Sequence, residues 1–323
     1  MNPILRYIIR RILFMIPLFI GVTSLVFLMV NVIGDPVEMM LAEVPGVSLQ
    51  QIEMVKKFFG TDKPVALRYF YWLGNMLRFD LGTSIYKGRP VLFLLSVHGA
   101  QTLKLQLTSL TISLFLSIFL GVTAAVNQYT KKDTAIMSLS LFSRSIPGFW
   151  LGLMLILIFS NWLKLFPSYG AVSTKELLFG NQFIDELWHM VLPTLMLTFF
   201  NIPAFTLLMR SSMVDVLRED YILAARASGL NRRTVIWKHA LKNAIMPVIA
   251  YASYIFGIMI ASSPVTETVF TWPGVGFIFV DAITNLDYPL IMGVIFILVI
   301  TVFAAGLIAD IIYVTIDPRI KLE

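Results

Sequence analysis

Cysteine is absent from the 323 residues, and histidine occurs three times, at His98, His189 and His239. The first absence excludes disulfides, thiol catalysis and cysteine-ligated metals. The second leaves no i,i+4 histidine pair to hold a metal on a helix face. Charge is scarce as well, at 14% of residues against 58% hydrophobic. A soluble domain carries about 25% charged residues, so this chain is short of polar surface. It contains no G-x-x-x-x-G-K-[ST] loop for a nucleotide triphosphate, no G-x-S-x-G, no H-E-x-x-H and no paired intramembrane carboxylates. Without a nucleophile or acid–base cluster, no catalytic residue, resident metal or cofactor is expected. The net charge of +6 lies beside apolar runs, a membrane pattern rather than one for nucleic acid.

What is abundant is long apolar sequence. Six stretches reach the roughly 20 residues that a membrane-spanning helix needs, at about 12–32, 105–126, 136–163, 190–209, 244–265 and 290–315. The first follows Arg6, Arg10 and Arg11. Its apolar core outruns the roughly 7–15 residues of a signal peptide and no small-x-small cleavage site follows, so it reads as an uncleaved anchor. Pro147, Pro193, Pro203 and Pro247 fall in or at the ends of these stretches, which a bundle tolerates where neighbours satisfy the freed carbonyls. Gly121 with Ala125, and Gly148 with Gly152, offer small faces for close helix packing.

Lysine and arginine set the orientation, because short cytoplasmic segments carry their excess. With the N-terminus inside, the inner segments hold Arg6, Arg10, Arg11, Lys131, Lys132, Arg210, Arg218, Arg226, Arg232, Arg233, Lys238, Lys242, Arg319 and Lys321. The loop between the fifth and sixth stretches holds Glu267, Asp281 and Asp287 and no cation. Both termini are then cytoplasmic. The chain reads as one transmembrane domain, 1–323, with an extracytoplasmic cap at 33–104 and a cytoplasmic loop at 210–243. Within the cap, the Ser-x-x-Gln at 48–51 has the form of a helix start, and 69–81 reads as an aromatic-rich interfacial piece.

The cytoplasmic loop is the most specific stretch. Residues 218–247 read REDYILAARASGLNRRTVIWKHALKNAIMP. Ala224, Ala225 and Gly229, followed by Pro247, resemble the signature of bacterial ABC-type importer permeases. In that family this loop forms a coupling helix that docks into a groove on the ATPase subunit. The signature often has Glu where this chain has Leu223, a departure usual in the dipeptide/oligopeptide/nickel branch. Further stretches are similar to that branch: RYIIRRILFMIPLFIGV at 6–22, GDP at 34–36, DLGTS at 80–84 and SIPGFWLG at 145–152. TETVFTWPGVG at 266–276, DAI at 281–283, DYP at 287–289 and DPRIKL at 317–322 complete a collinear set over nearly the whole chain.

The resemblance implies an all-α membrane protein of six transmembrane helices, with the coupling helix between spans four and five. It implies a prokaryotic inner-membrane location and a pathway formed with a second, homologous permease. Two ABC ATPase subunits would hold ATP and magnesium below, and an extracytoplasmic binding protein would deliver the substrate above. Dipeptides, oligopeptides, nickel chelates and glycans are all cargo of look-alikes. Carried onto this sequence, the coupling residues are Glu219, Asp220, Ala224, Ala225, Arg226, Gly229, Leu230 and Arg232. Small side chains at Ala224 and Ala225 permit close approach, and Gly229 permits the positive-φ turn that ends a helix. Glu219 and Asp220 complement the helix dipole. Arg226, Arg232, Arg233 and Lys238 either pair with acidic groups on the ATPase or only set topology.

Arg144 falls inside the third apolar stretch. It either lines the translocation path, facing an anionic group such as a peptide carboxylate, or snorkels to headgroups. Ser145, Asn201, Ser253 and Ser262 are the other path candidates, although serine in membrane helices also serves packing. Glu267, Trp272, Pro273 and Gly274 fall on the outer side, where a binding protein would dock or, for Trp272, where an aromatic belt would lie. The alternative from another class is a stand-alone secondary transporter. That needs midplane coupling carboxylates and broken helices in matched halves, neither evident here.

Overall fold

The computed structural model describes residues 3–33, 63–173, 177–259 and 263–316, with the side chains of the two terminal helices described from residue 9 and up to residue 308. The GDP and DPRIKL motifs, the Ser48 helix start and Ser262 lie outside the described residues. In chain order the helices are α1 (Pro3–Ile33), α2 (Val65–Leu77), α3 (Val91–Val126), α4 (Lys131–Ser143) and α5 (Gly148–Trp162). There follow α6 (Gln182–Val216), α7 (Asp220–Ala227), α8 (Arg232–Ala244) and α9 (Met246–Ile258). The last are α10 (Pro264–Val269), α11 (Val275–Thr284) and α12 (Tyr288–Ile316). Among the described residues the one extended pairing is an isolated bridge between Thr83 and Pro90.

Four helices, α1, α3, α6 and α12, are long and apolar enough to cross a membrane. The pairs α4–α5 and α8–α9 pass the same test only together, bent by 98° and 48°, so the spans number four to six. The continuous helix expected over 136–163 is therefore two helices at nearly a right angle. Pro147 explains the break, because a residue before proline avoids the helical region. The chain leaves the helix at Arg144, passes Pro147 at φ −62° and ψ 134°, and restarts at Gly148. Pro193 and Pro203 lie inside α6 without ending it. Pro247 sits in the first turn of α9, where its missing N–H has no intrahelical partner to lose.

α3 begins at Val91 rather than near 105, taking 91–104 out of the expected cap. Its 36 residues extend about 54 Å at 1.5 Å each, well past a hydrocarbon core of about 30 Å. It packs chiefly along α6. The contact is close at Gly121, where a Cβ would fall 2.6 Å from the Cβ of Met209. α9 meets α12 more closely still, a Cβ on Gly257 falling 2.0 Å from the Cβ of Ala305. One apolar cluster joins Phe205, Met209, Met213, Ile222, Val235 and Val248 at the α7 end of the bundle. Another joins Val91, Leu94, Val275, Ile278, Leu290 and Phe296 at the opposite end.

Gly121→Ala is expected to lower stability by about 1–3 kcal/mol through overpacking. The readout is a lower thermal-unfolding midpoint of the detergent-solubilised chain. Gly21→Ala, whose Cβ would meet nothing within 4 Å, should leave the midpoint unchanged or raise it slightly.

Candidate functional site

α7 makes a short rigid projection out of a basic insert. Glu219 holds the N-cap position at φ −67° and ψ 144°, Asp220 lies in the first turn and Arg226 in the last. Each charge thus faces the helix-dipole end that favours it. At the C-terminus the Ser228 N–H donates to Ala224 O at 2.9 Å and the Gly229 N–H to Arg226 O at 3.1 Å. Gly229 then turns the chain at φ +79°, a conformation that costs glycine little and other residues more. Two residues later Asn231 Oδ1 accepts the Arg233 N–H at 3.0 Å and starts α8.

Ile222 anchors the projection. It is fully buried in the cluster that holds Met213 of α6 and Val235 and Ile236 of α8, worth roughly 1.5–3 kcal/mol. Ala225 is half-buried against the same cluster, so it packs inward. Asp220, Leu223, Ala224 and Ala227 form the opposite, exposed face, and Glu219, Arg226, Gly229, Leu230 and Arg232 are exposed around it. Tyr221 Oη accepts from Asn243 Nδ2 at 2.8 Å, a second tie to α8.

The path candidates do not share one cavity. Arg144 lies at the α4–α5 break, exposed, with exposed Ser145 beside it. With Arg210, Met137, Ser140, Leu141, Pro203 and Leu207, Arg144 lines a cavity of about 270 Å³ between α4 and α6. Asn201 instead donates from Nδ2 to Ser109 Oγ at 3.4 Å in the α3–α6 seam. Ser253 bonds back to Ile249 O of its own helix at 2.9 Å. Arg210, expected only to set topology, grips buried Asp133 with two bonds of 2.6 Å, fixing α4 to α6.

The outer candidates are buried. Glu267 is fully enclosed and accepts from Ser263 Oγ at 2.7 Å, Thr102 Oγ1 at 2.8 Å and the Phe277 N–H at 3.1 Å. The Gly276 N–H adds a fourth donor. Thr102 Oγ1 in turn accepts the Val275 N–H at 2.8 Å. The carboxyl and its threonine thus satisfy the first N–H groups of α11, which have no intrahelical partner. Burial raises the Glu267 pKa, against the pull of its hydrogen bonds. The glycines of the WPGVG stretch follow from this contact. A Cβ on Gly274 would lie 2.3 Å from the Glu267 carboxyl carbon, and one on Gly276 2.5 Å from the Cα of Pro264. Trp272 is fully buried, its Nε1 donating to Gln101 O at 3.1 Å, and so is no belt residue. Pro273 O accepts from His98 Nδ1 at 2.7 Å.

Asp287 extends the same construction. It accepts from the Ser84 hydroxyl, from the Ile85 and Tyr86 N–H groups at 3.2 Å, and from the Leu290 N–H at 3.3 Å. Lys87 pairs with Asp281 at 2.7 Å. The DLGTS, TETVFTWPGVG, DAI and DYP stretches thereby meet at one end of the bundle. Sequence reasoning missed the buried roles of Asp133 and Asp287. The available signal for Asp287 was its place just before an apolar helix.

Residues 117–322 match the family model described as the binding-protein-dependent transport system inner membrane component. The chain is 41% identical over 321 residues to the oligopeptide transport system permease protein AppB of Bacillus subtilis strain 168, covering 98% of this chain and 99% of the relative. It is 34% identical, with the same coverage, to the dipeptide transport system permease protein DppB of Escherichia coli K12. The di/tripeptide transport system permease protein DppB of Pseudomonas aeruginosa UCBPP-PA14 matches at 34% and the same coverage. Among solved structures the fold is similar to a chain of the MetNI methionine ABC transporter in an inward-facing conformation. That likeness has a TM-score of 0.51 and 18% identity, over 69% of this chain and 98% of the other.

Glu267→Ala should strand its donors at about 1–3 kcal/mol each and sharply reduce the thermal midpoint. At the other end, Ile222→Asp should abolish folded protein on size-exclusion chromatography, whereas Leu223→Asp, on the exposed face, should shift stability by no more than about 0.5 kcal/mol.

Proposed function

The chain belongs to the family of binding-protein-dependent transport system inner membrane components, and from that premise we propose that α7 is the element through which ATPase subunits drive it. As a member it is a multi-pass inner-membrane permease component of a peptide ABC importer, without catalysis of its own. The observation that carries the finer reading is the two-sidedness of α7. Ile222 ties the helix to α6 and α8, while Leu223, Ala224 and Ala227 stay free for a partner.

In this reading the bundle has six spans, counting each bent pair as one, with both termini in the cytoplasm. The basic residues of 210–243 then lie on the ATPase side. ATP and magnesium are held by two partner ATPases, whose closure moves α7. Because Ile222 shares a core with Met213, Val235 and Ile236, that motion reaches α6 and α8 as a rigid displacement. A close-packed core transmits such a shift rather than absorbing it. A second, homologous permease supplies the other wall of the pathway, and ATP shifts the population between inward- and outward-facing states through its differential affinity for them. The cargo is a small peptide delivered by a binding protein, which the peptide relatives favour over a nickel chelate or a glycan.

Purification of the tagged chain from its native host in gentle detergent should bring down a second permease and nucleotide-binding subunits, identified by mass. Recovery of the chain alone, under conditions that keep comparable complexes intact, would contradict the assembly. Ala224→Trp, on the exposed face, is expected to leave membrane insertion intact, cut ATPase co-purification at least tenfold and abolish uptake. Uptake at the wild-type rate would remove α7 from the coupling role.

A further inference from the structure

Residues 144–147 put irregular backbone in the middle of a membrane span. α4 carries the chain 13 residues, from Lys131 to Ser143, about 20 Å at 1.5 Å each, within a hydrocarbon core of about 30 Å. There the helix stops, with Arg144, Ser145 and Pro147 exposed. Non-helical backbone is tolerated at membrane depth only where protein covers it or where it lines a water-filled cavity. The exposed break therefore does not face lipid tails. Arg144 narrows the choice. Among the described residues no carboxylate pairs with it, and a charge at this depth needs a partner or water.

The cavity beside it gives such a partner room. On α4 the lining residues recur at i, i+3, i+4 and i+7 from Met137, which is one face of a helix. Toward the Lys131 end, Arg210 is already neutralised by Asp133 through two bonds of 2.6 Å. Arg144 is thus the unpaired charge of the lining, Ser140 supplies its one hydroxyl, and the rest is apolar. We propose that this cavity is a station on the translocation path, where Arg144 holds the C-terminal carboxylate of the cargo peptide and the Ser140 hydroxyl bonds the adjoining peptide group. A guanidinium fork matches a carboxylate with two parallel N–H···O bonds, and Met137, Leu141 and Leu207 give the last side chain an apolar wall. The volume of about 270 Å³ falls just below the roughly 300–1,000 Å³ of small-molecule sites, room for the end of a peptide rather than a whole oligopeptide. A carboxylate is the charge that unmodified peptides share at that end whatever their sequence. The site rests on the reading of the cargo as a peptide and not on the role of α7.

The test uses the purified complex containing the full-length chain, without ATP. Ser140→Cys supplies the only thiol in this chain, and a water-soluble thiol reagent should label it, as a wet cavity requires. A tripeptide with a free C-terminal carboxylate should slow that labelling about tenfold more than the same tripeptide as its C-terminal amide. Adding Arg144→Gln should erase the difference with an unchanged thermal midpoint, and Arg144→Lys should keep part of it. No labelling, equal protection by the two peptides, or an undiminished difference in Arg144→Gln would overturn the proposal. So would loss of the second permease from Arg144→Gln on purification, which would make Arg144 one half of an ion pair between permeases. Import of the free tripeptide by the wild-type complex in proteoliposomes is scored separately. Its absence would sink the cargo reading and this site together, whereas import alongside any of the contrary results above would sink this site alone.

Discussion

An ionised carboxylate withdrawn from water costs several kcal/mol unless donors surround it. Four are buried among the described residues of this chain: Asp133, Asp185, Glu267 and Asp287. Each is met by donors. Asp133 has the Arg210 fork, and Asp185 accepts from the Ser173 N–H and Oγ at 2.6 and 2.8 Å and from the Leu178 N–H at 3.1 Å. Glu267 and Asp287 gather helix starts and loop N–H groups. Because most of these donors are backbone amides, each carboxylate dictates the path of a loop as well as a contact. In a chain with little charge to spare, acidic residues act as fixed points. Three of them organise the end of the bundle that carries α10 and α11, and one fixes α4 to α6.

The opposite end is organised by apolar packing. Ile222 is the joint: it fixes the rotational phase of α7, and that phase decides which alanine faces out. The consequence is directional. Motion imposed on the exposed face of α7 has a continuous hydrophobic route into α6 and α8, and α6 is the helix on which α3, α4 and α5 pack. Hydrogen bonds to Glu267 and Asp287 thus close one end of the molecule, whereas the other end presents the exposed face of α7.

Much of this was legible in the residues. Apolar runs marked the spans, and Gly229 marked the turn after α7, because both signals are local. The break at Arg144 was not, since a proline ends a helix or rides within it according to its neighbours: Pro147 ends one, while Pro193 and Pro203 do not. Nor was the burial of Glu267 and Trp272, because a glutamate and a tryptophan between apolar runs look like outer-loop residues until Thr102 and Gln101 of a distant helix are brought beside them. The roles of Ala224 and Ala225 differ by one position on a helix, a distinction that composition cannot draw but the buried neighbour Ile222 does.

The central claim is that α7 meets an ATPase with the face opposite Ile222. The absence of native cysteine makes it directly measurable, since any single cysteine introduced is the only thiol in the chain. Leu223→Cys and Ala227→Cys, placed in the assembled complex and treated with a short thiol-to-amine crosslinker, should join the chain to a nucleotide-binding subunit, with a yield that changes when ATP is added. Arg144→Cys, away from α7, should give no such product. Crosslinking of Arg144→Cys at a yield equal to Leu223→Cys, or no ATPase adduct from either α7 position in a complex that still hydrolyses ATP, would contradict the account.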